Sequence, residues 1–254
     1  MERKENTDNF IITAHTIIKW YDQTHITMTV ARKPPSALNS EIMGILLAAK
    51  KQTEGALTTL ASKNILSTHA LLRILVESYI VLTWALNAPA NGEETKSNEV
   101  YKRFKRWDYT RLKKDKALLE DLPKTSEIES NIEKVNNDIA ELQKDDIKEL
   151  PRYNQLYDDV FGEESKEMYA KSYRTYSQAV HLNRNVTQIL ACIEYENEEP
   201  KKESYKDDIE ADGDELLIIA SISCDINKAI RSFYDWHSDA MQNEYDKVKS
   251  NLVK

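Results

Sequence analysis

The sequence predicts an all-α protein, a single-domain helical bundle of six to seven helices with a projecting antiparallel helical hairpin. Only 5 glycines and 6 prolines occur in 254 residues, well below ordinary usage, so the chain has few places to turn. Apolar residues recur at spacings of three and four, and no segment alternates as a half-buried strand would. Long helices are therefore the expected elements.

The first three helices are predicted at about residues 8–32, 36–62 and 65–87. Pro34 and Pro35 end the first helix, and the side chain of Ser36 can cap the second. The third helix is apolar nearly all round, which is typical of a core helix. Its most apolar stretch is shorter than a membrane span requires, so we expect a soluble protein.

A helical hairpin is predicted at residues 93–150. Its first helix covers about 94–122, Pro123 turns the chain, and Ser126 with Glu129 forms a capping box for the second helix. The second helix carries apolar residues at alternating spacings of four and three, as in a coiled-coil seam: Ile128, Ile132, Val135, Ile139 and Leu142.

The C-terminal third is predicted to contain two helices separated by a loop. The first helix covers about residues 164–182. Residues 194–215 contain eleven acidic residues and three lysines, a composition that predicts an exposed acidic loop. The last helix, 214–252, contains neither proline nor glycine and keeps the three–four spacing throughout, so we expect it to be continuous.

Composition excludes several classes of site. The formal net charge of −8 argues against a protein coated with nucleic acid, although it leaves room for a local basic site. Cys192 and Cys224 have no metal-ligand spacing and form no disulfide framework. No glycine-rich phosphate loop or zinc-protease motif occurs. We therefore expect no metal, no cofactor, no signal peptide, no membrane contact and a cytoplasmic location.

Arg174 and His181 are candidate catalytic residues. They lie seven positions apart on a predicted helix, so their side chains share one face, with α-carbons about 10 Å apart. Arginine can hold a phosphate through two hydrogen bonds, and histidine can transfer a proton near neutral pH. The pair could thus cleave RNA without a metal. The alternative is a surface arginine and a core histidine with structural roles.

This spacing, late in an all-α domain, resembles the motif of the HEPN superfamily of dimeric helical ribonucleases. The resemblance implies a phosphate-binding role for Arg174, a proton-transfer role for His181, and a homodimer in which two such pairs meet in one cleft. Thr175 follows the arginine here, whereas superfamily members often carry Asn, Asp or His at that position.

A second resemblance covers about residues 36–190 and implies a helical fold more than an activity. The chain resembles a bacterial family, domain of unknown function 5677, in three short motifs: Leu72-Arg73-x-Leu75-x-Glu77-x-Tyr79, Tyr101-x-x-Phe104, and Tyr176-Ser177-x-x-Val180-His181.

Polar residues interrupt the apolar third helix at intervals of four. His69, Arg73 and Glu77 occupy these positions, and the arginine and glutamate can pair along the helix. A charged pair in such a helix is costly to bury unless it is fully hydrogen-bonded. These residues therefore either lock the core or line a polar pocket.

Residues 102–116 form a basic segment with interleaved aromatic residues. Eight lysines and arginines occur there beside two aspartates. Cationic side chains bind phosphates, and aromatic rings stack on unpaired bases. The candidate RNA-binding residues are Lys102, Arg103, Lys105, Arg106, Trp107, Arg111, Lys113 and Lys114. The alternative is a solvated helix face whose aromatic residues pack on the hairpin.

Three functions remain open. The first is a metal-independent HEPN-like endoribonuclease, acting as a homodimer on RNA, as a bacterial toxin or antiphage effector. The second is a non-catalytic helical module that binds a regulatory protein or a nucleotide. The third is a domain that binds RNA without cleaving it. In the first case, the acidic loop at residues 194–215 could mask the basic segment.

Overall fold

The computed structural model describes residues 2–31, 36–89, 92–170, 176 and 204–252. Within these ranges the chain is helical with no strand, which confirms the predicted all-α class. The helices are α1 (Glu2–Val30), α2 (Ala37–Ala61), α3 (Ile65–Leu86), α4 (Glu93–Glu120), α5 (Ser126–Lys144), α6 (Tyr153–Phe161), α7 (Ser165–Met168), α8 (Ser204–Phe233) and α9 (Asp239–Leu252), with a 3-10 turn at Gly162–Glu164.

The chain divides into two compact units. Unit 1 comprises Met1–Thr83 and Tyr157–Lys254, and unit 2 comprises Trp84–Leu156. Unit 2 includes the segment that the sequence predicts as a hairpin, residues 93–150.

The core of unit 1 forms around α8, which contacts α1, α2 and α9. Its largest fully buried side chains include Trp20, Tyr21, Ile42, Leu72 and Ile219. The helix α3 is long and apolar enough to cross a membrane, a test that the core helices of many proteins also pass. Leu72, Leu75 and Ile80 of this helix are buried.

In unit 2, α4 and α5 pack against each other as the predicted hairpin. The five seam residues of α5 are all half-buried, and no residue of α5 is fully buried. The cap of α5 differs from the prediction by one position. The side chain of Thr125, rather than Ser126, accepts the hydrogen bond of the Ile128 amide at 3.2 Å, because Thr125 has the extended backbone that a capping residue needs.

Replacing Thr125 with alanine should therefore destabilise the hairpin by about 1 kcal/mol, since one amide at the start of α5 loses its partner. The measurement is thermal unfolding followed by circular dichroism. Ser126→Ala is the matched control, because Ser126 lies inside the helix, where alanine is favourable. If the Ser126 variant lost more stability than the Thr125 variant, the observed cap would be wrong.

Two predictions for the C-terminal third are corrected. Of the predicted acidic loop, residues 194–203 lie outside the described residues, whereas 204–215 form the first turns of α8. Asp207 and Asp208 lie near the helix N-terminus, where the helix dipole favours negative charge, and the later acidic residues lie beyond the reach of this effect. Composition alone therefore suggested a loop in a segment that is helical.

The last helix is also not continuous, because it breaks between Phe233 and Asp239. The amide of Trp236 donates to the carbonyl of Arg231 at 2.8 Å, and the amide of Asp235 donates to the carbonyl of Ser232 at 3.1 Å. Asp235 has φ 56°, so these bonds form a Schellman motif with aspartate in the position that glycine usually occupies. Aspartate tolerates this conformation, which is why no glycine or proline marks the break.

The region around the predicted helix 164–182 differs as well. A helix that was not predicted, α6, comes first, and a 3-10 turn and the short α7 follow it. Tyr157 and Phe161 of α6 pack together with ring centroids 5.5 Å apart, and Tyr169 lies edge-on to Tyr157 at 5.2 Å. Between residues 171 and 203 only Tyr176 is described.

Candidate functional site

A histidine–carboxylate pair lies between α3 and α8 in unit 1. The Nε2 atom of His69 is 3.0 Å from Oε1 of Glu215, and the two side chains are 23% and 11% exposed. A carboxylate bonded to one ring nitrogen fixes the orientation and tautomer of an imidazole. This arrangement occurs in proton-transfer sites, where a carboxylate orients the histidine. It also occurs in histidine–carboxylate pairs with a purely structural role.

The other carboxylate oxygen of Glu215 requires a hydrogen-bond donor of its own. Oε2 is buried and has no hydrogen-bond partner among the described residues. A buried carboxylate oxygen without a partner is costly, because it loses its hydration without compensation. Oε2 of Glu215 can therefore accept a hydrogen bond from a ligand or from a donor outside the described residues.

Tyr176 packs against this pair. Its side chain is buried, and its ring centroid lies 5.2 Å from that of His69. Burial raises the pKa of Tyr176 above its ordinary value, and the carboxylates of Glu215 and Asp214 raise it further. The phenol therefore stays protonated at neutral pH and can serve as a hydrogen-bond donor.

Arg73 and Glu77 form an ion pair farther along α3. The Nε atom of Arg73 donates to Oε1 of Glu77 at 2.9 Å, and the side chains are 16% and 23% exposed. The predicted pairing is therefore present. With His69 they make a polar strip of three residues along one side of α3, as the spacing of four requires.

The residues brought together are therefore His69, Glu215 and Tyr176, beside the strip formed by Arg73 and Glu77. The predicted catalytic residues Arg174 and His181 lie outside the described residues. Sequence reasoning missed Glu215 as a site residue, since it lies where the predicted acidic loop and the predicted last helix overlap. The signal was available, because Glu215 lies four residues before the buried Ile219 and so continues the apolar stripe of α8 by one turn.

The cluster contains two side chains of types that can bind a metal ion. His69 and Glu215 are both possible ligands, but the described residues contain no group of three or more His, Cys, Asp and Glu side chains that could hold a metal ion.

Several candidate RNA-binding residues of α4 make contacts within unit 2. The guanidinium of Arg103 lies over the Trp84 ring, 4.4 Å from its centroid, and Arg103 donates to the Trp84 carbonyl. Arg106 donates twice to the carbonyl of Glu149, at 3.0 and 2.8 Å. Lys113 pairs with the carboxylate of that same glutamate. Arg106 and Lys113 thus hold the chain that follows α5 against α4, whereas Arg103 contacts the end of α3.

Other residues of the basic segment are more accessible. Lys102 and Arg111 are exposed and have only loose acidic neighbours, Glu99 at 3.6 Å and Asp115 at 3.8 Å, and Lys114 is exposed. Surface pairs of this kind contribute little and exchange easily. Lys105 is half-buried and pairs with Asp108 at 2.8 Å. Exposed positive charge therefore remains at Lys102, Arg111 and Lys114.

The aromatic residues of this segment differ in their availability for stacking. Phe104 and Tyr109 are buried, and the Tyr109 hydroxyl accepts a hydrogen bond from Gln143 of α5 at 3.0 Å. These two rings are part of the packing of unit 2 and cannot stack on bases. Tyr101 and Trp107 are only half-buried.

Comparisons with known proteins assign the chain to a family. No curated protein and no solved structure matches it significantly. The model of one family, described as a family of unknown function (DUF5677), matches residues 42–194. This span exceeds half of the chain and agrees with the resemblance noted at residues 36–190. The chain therefore belongs to the DUF5677 family.

Proposed function

We propose that the protein is a metal-independent endoribonuclease of the HEPN type, with Arg174 and His181 as its catalytic residues. The observation that carries this proposal is the burial of Tyr176 against His69 beside the carboxylate of Glu215. Tyr176 lies two residues after Arg174 and five before His181. Tyr176, which belongs to the segment with the candidate catalytic motif, therefore packs against the His69–Glu215 pair.

Covalent geometry limits how far the motif can lie from this cluster. Two residues of chain span at most about 7 Å and five span about 18 Å. The proposal requires Arg174 and His181 to act close to His69 and Glu215. Such a neighbourhood supplies what metal-free RNA cleavage requires, namely cationic groups for the phosphate and imidazoles that transfer protons.

Each residue has a distinct role in the proposed reaction. Arg174 binds the scissile phosphate and stabilises the charge that develops when the 2′-hydroxyl attacks phosphorus. His181 either takes the proton of that hydroxyl or gives a proton to the departing 5′-oxygen. As in the dimer that the resemblance implies, we expect two copies of the chain to bring their motifs to one cleft.

RNA binding without cleavage is the second candidate function. The exposed charges at Lys102, Arg111 and Lys114 favour it, because a basic surface binds RNA whether or not a catalytic pair is active. The two candidates differ in their response to substitution of His181, which only the first requires.

The test is expression of the chain in a bacterial culture in the cytoplasm, where we expect it to act as a toxin or antiphage effector. Wild type should arrest growth and fragment total RNA on a gel. Arg174→Ala and His181→Ala, expressed at equal soluble levels, should do neither. Normal growth and intact RNA with wild type, together with no cleavage by the purified protein, would overturn the nuclease proposal.

A further inference from the structure

Unit 2 contains a second candidate site, which the ribonuclease proposal does not use. An open cavity of about 540 Å³ lies between the start of α4 and the end of α5. This volume falls within the range of small-molecule pockets. The cavity lies at residues 95–147, so it is formed within unit 2 alone.

The α4 side of the cavity carries an aromatic ring and several donors, together with the carboxylate of Glu99, which lies 3.6 Å from the Lys102 ammonium. Tyr101, Lys102 and Lys105 line it, and the Nζ atom of Lys105 lies 5.3 Å from the centroid of the Tyr101 ring. Thr95 and Asn98 add a hydroxyl and an amide. An aromatic ring beside two ammonium groups can stack a base and contact a phosphate at the same time.

The opposite side of the cavity carries two carboxylates and one ammonium group, that of Lys144. It is formed by the end of α5, where Asp145 and Asp146 line the cavity. The amide of Ile147 donates to the carbonyl of Leu142 at 3.2 Å, and Asp146 has φ 54°, which defines a second Schellman motif. The negative end of the helix dipole adds to the two carboxylates. This side therefore favours ligand groups that donate hydrogen bonds.

A ligand that fits both sides has a phosphate at one end, a flat ring, and hydroxyl or amino donors at the other end. A free phosphate can contact the lysines, but it offers no donor to the carboxylates of Asp145 and Asp146. We propose that this cavity binds a nucleotide, with Tyr101 stacking the base, Lys102 and Lys105 contacting the phosphate, and Asp145 and Asp146 accepting from ribose hydroxyls or a base amino group. The nucleotide is either free or part of an RNA strand.

The experiment is calorimetric titration of the full chain with three probes. Adenosine 5′-monophosphate represents the free nucleotide, a 2′-O-methyl oligoadenylate represents the RNA strand, and inorganic phosphate tests for an anion site only. The oligonucleotide lacks the attacking 2′-hydroxyl, so its binding is measured independently of any cleavage. Failure of the ribonuclease proposal therefore leaves this test intact.

Tyr101→Leu and Lys102→Glu should each weaken nucleotide binding by about tenfold or more, from lost stacking and reversed charge. Lys134→Glu is the matched control, since Lys134 is exposed on α5 and does not line the cavity, so its affinity should equal that of wild type. Binding of the monophosphate identifies a free nucleotide as the ligand, and binding of the oligonucleotide alone identifies a residue of RNA. No binding of either, equal affinity for inorganic phosphate, or affinities unchanged in both variants would overturn the proposal.

Discussion

Alanine in place of His181 is expected to slow RNA cleavage by the purified protein by about 10²–10⁴-fold, the usual contribution of a positioned acid or base. The variant should bind RNA as wild type does, because the phosphate contacts remain. The measurement is single-turnover cleavage of a labelled RNA, with binding followed separately at several salt concentrations.

The matched control is His15→Ala, because His15 is exposed on α1 and has no proposed role in the reaction. Arg174→Lys should also lose most of the activity, since a lysine keeps the charge but not the paired hydrogen bonds to phosphate. A His181→Ala variant that cleaves at the wild-type rate would remove His181 from the mechanism and leave RNA binding as the better description.

The second large effect is expected at the His69–Glu215 pair. Replacing His69 with leucine leaves a buried carboxylate without its partner, and such breaks cost about 3–5 kcal/mol in a fully buried pair. Since His69 is 23% exposed, we expect the free energy of unfolding to fall by about 2–3 kcal/mol. Chemical denaturation measures the loss.

A double-mutant cycle distinguishes the interaction free energy of His69 and Glu215 from the loss of packing that each substitution causes. Glu215→Leu should cost less than His69→Leu, because the imidazole left behind is partly exposed and can bond to water, whereas the carboxylate left behind is more deeply buried. The double variant with leucine at both positions should recover part of the stability. Strict additivity of the two substitutions would show that the side chains do not interact.

The sequence predicts the helices of unit 1 well where local chemistry decides the boundary. Ser36 accepts the hydrogen bond of the Asn39 amide at 3.1 Å and starts α2 as predicted, because a capping side chain needs only its own backbone neighbours. The break at Asp235 was missed for a related reason. Its signal is one backbone angle, and the three–four spacing of apolar residues runs on across it.

The candidate site could be predicted only in part, because it depends on contacts between distant segments. The spacing of His69, Arg73 and Glu77 placed them on one side of α3, and the ion pair of the last two followed from it. Glu215 could not be linked to His69 in this way, since 146 positions separate them and the local composition around Glu215 suggests solvent exposure. Arg174 and His181 remain predictions.

The four tryptophans are divided equally between the two units. Trp20 and Trp236 belong to unit 1, and Trp84 and Trp107 belong to unit 2. Intrinsic fluorescence therefore averages the two units during denaturation. Phenylalanine at positions 84 and 107 would leave emission from unit 1 alone, with Trp20 buried and bonded to Glu244 at 2.9 Å. Comparing that signal with the helical ellipticity of the whole chain then reports whether the two units unfold together or in sequence.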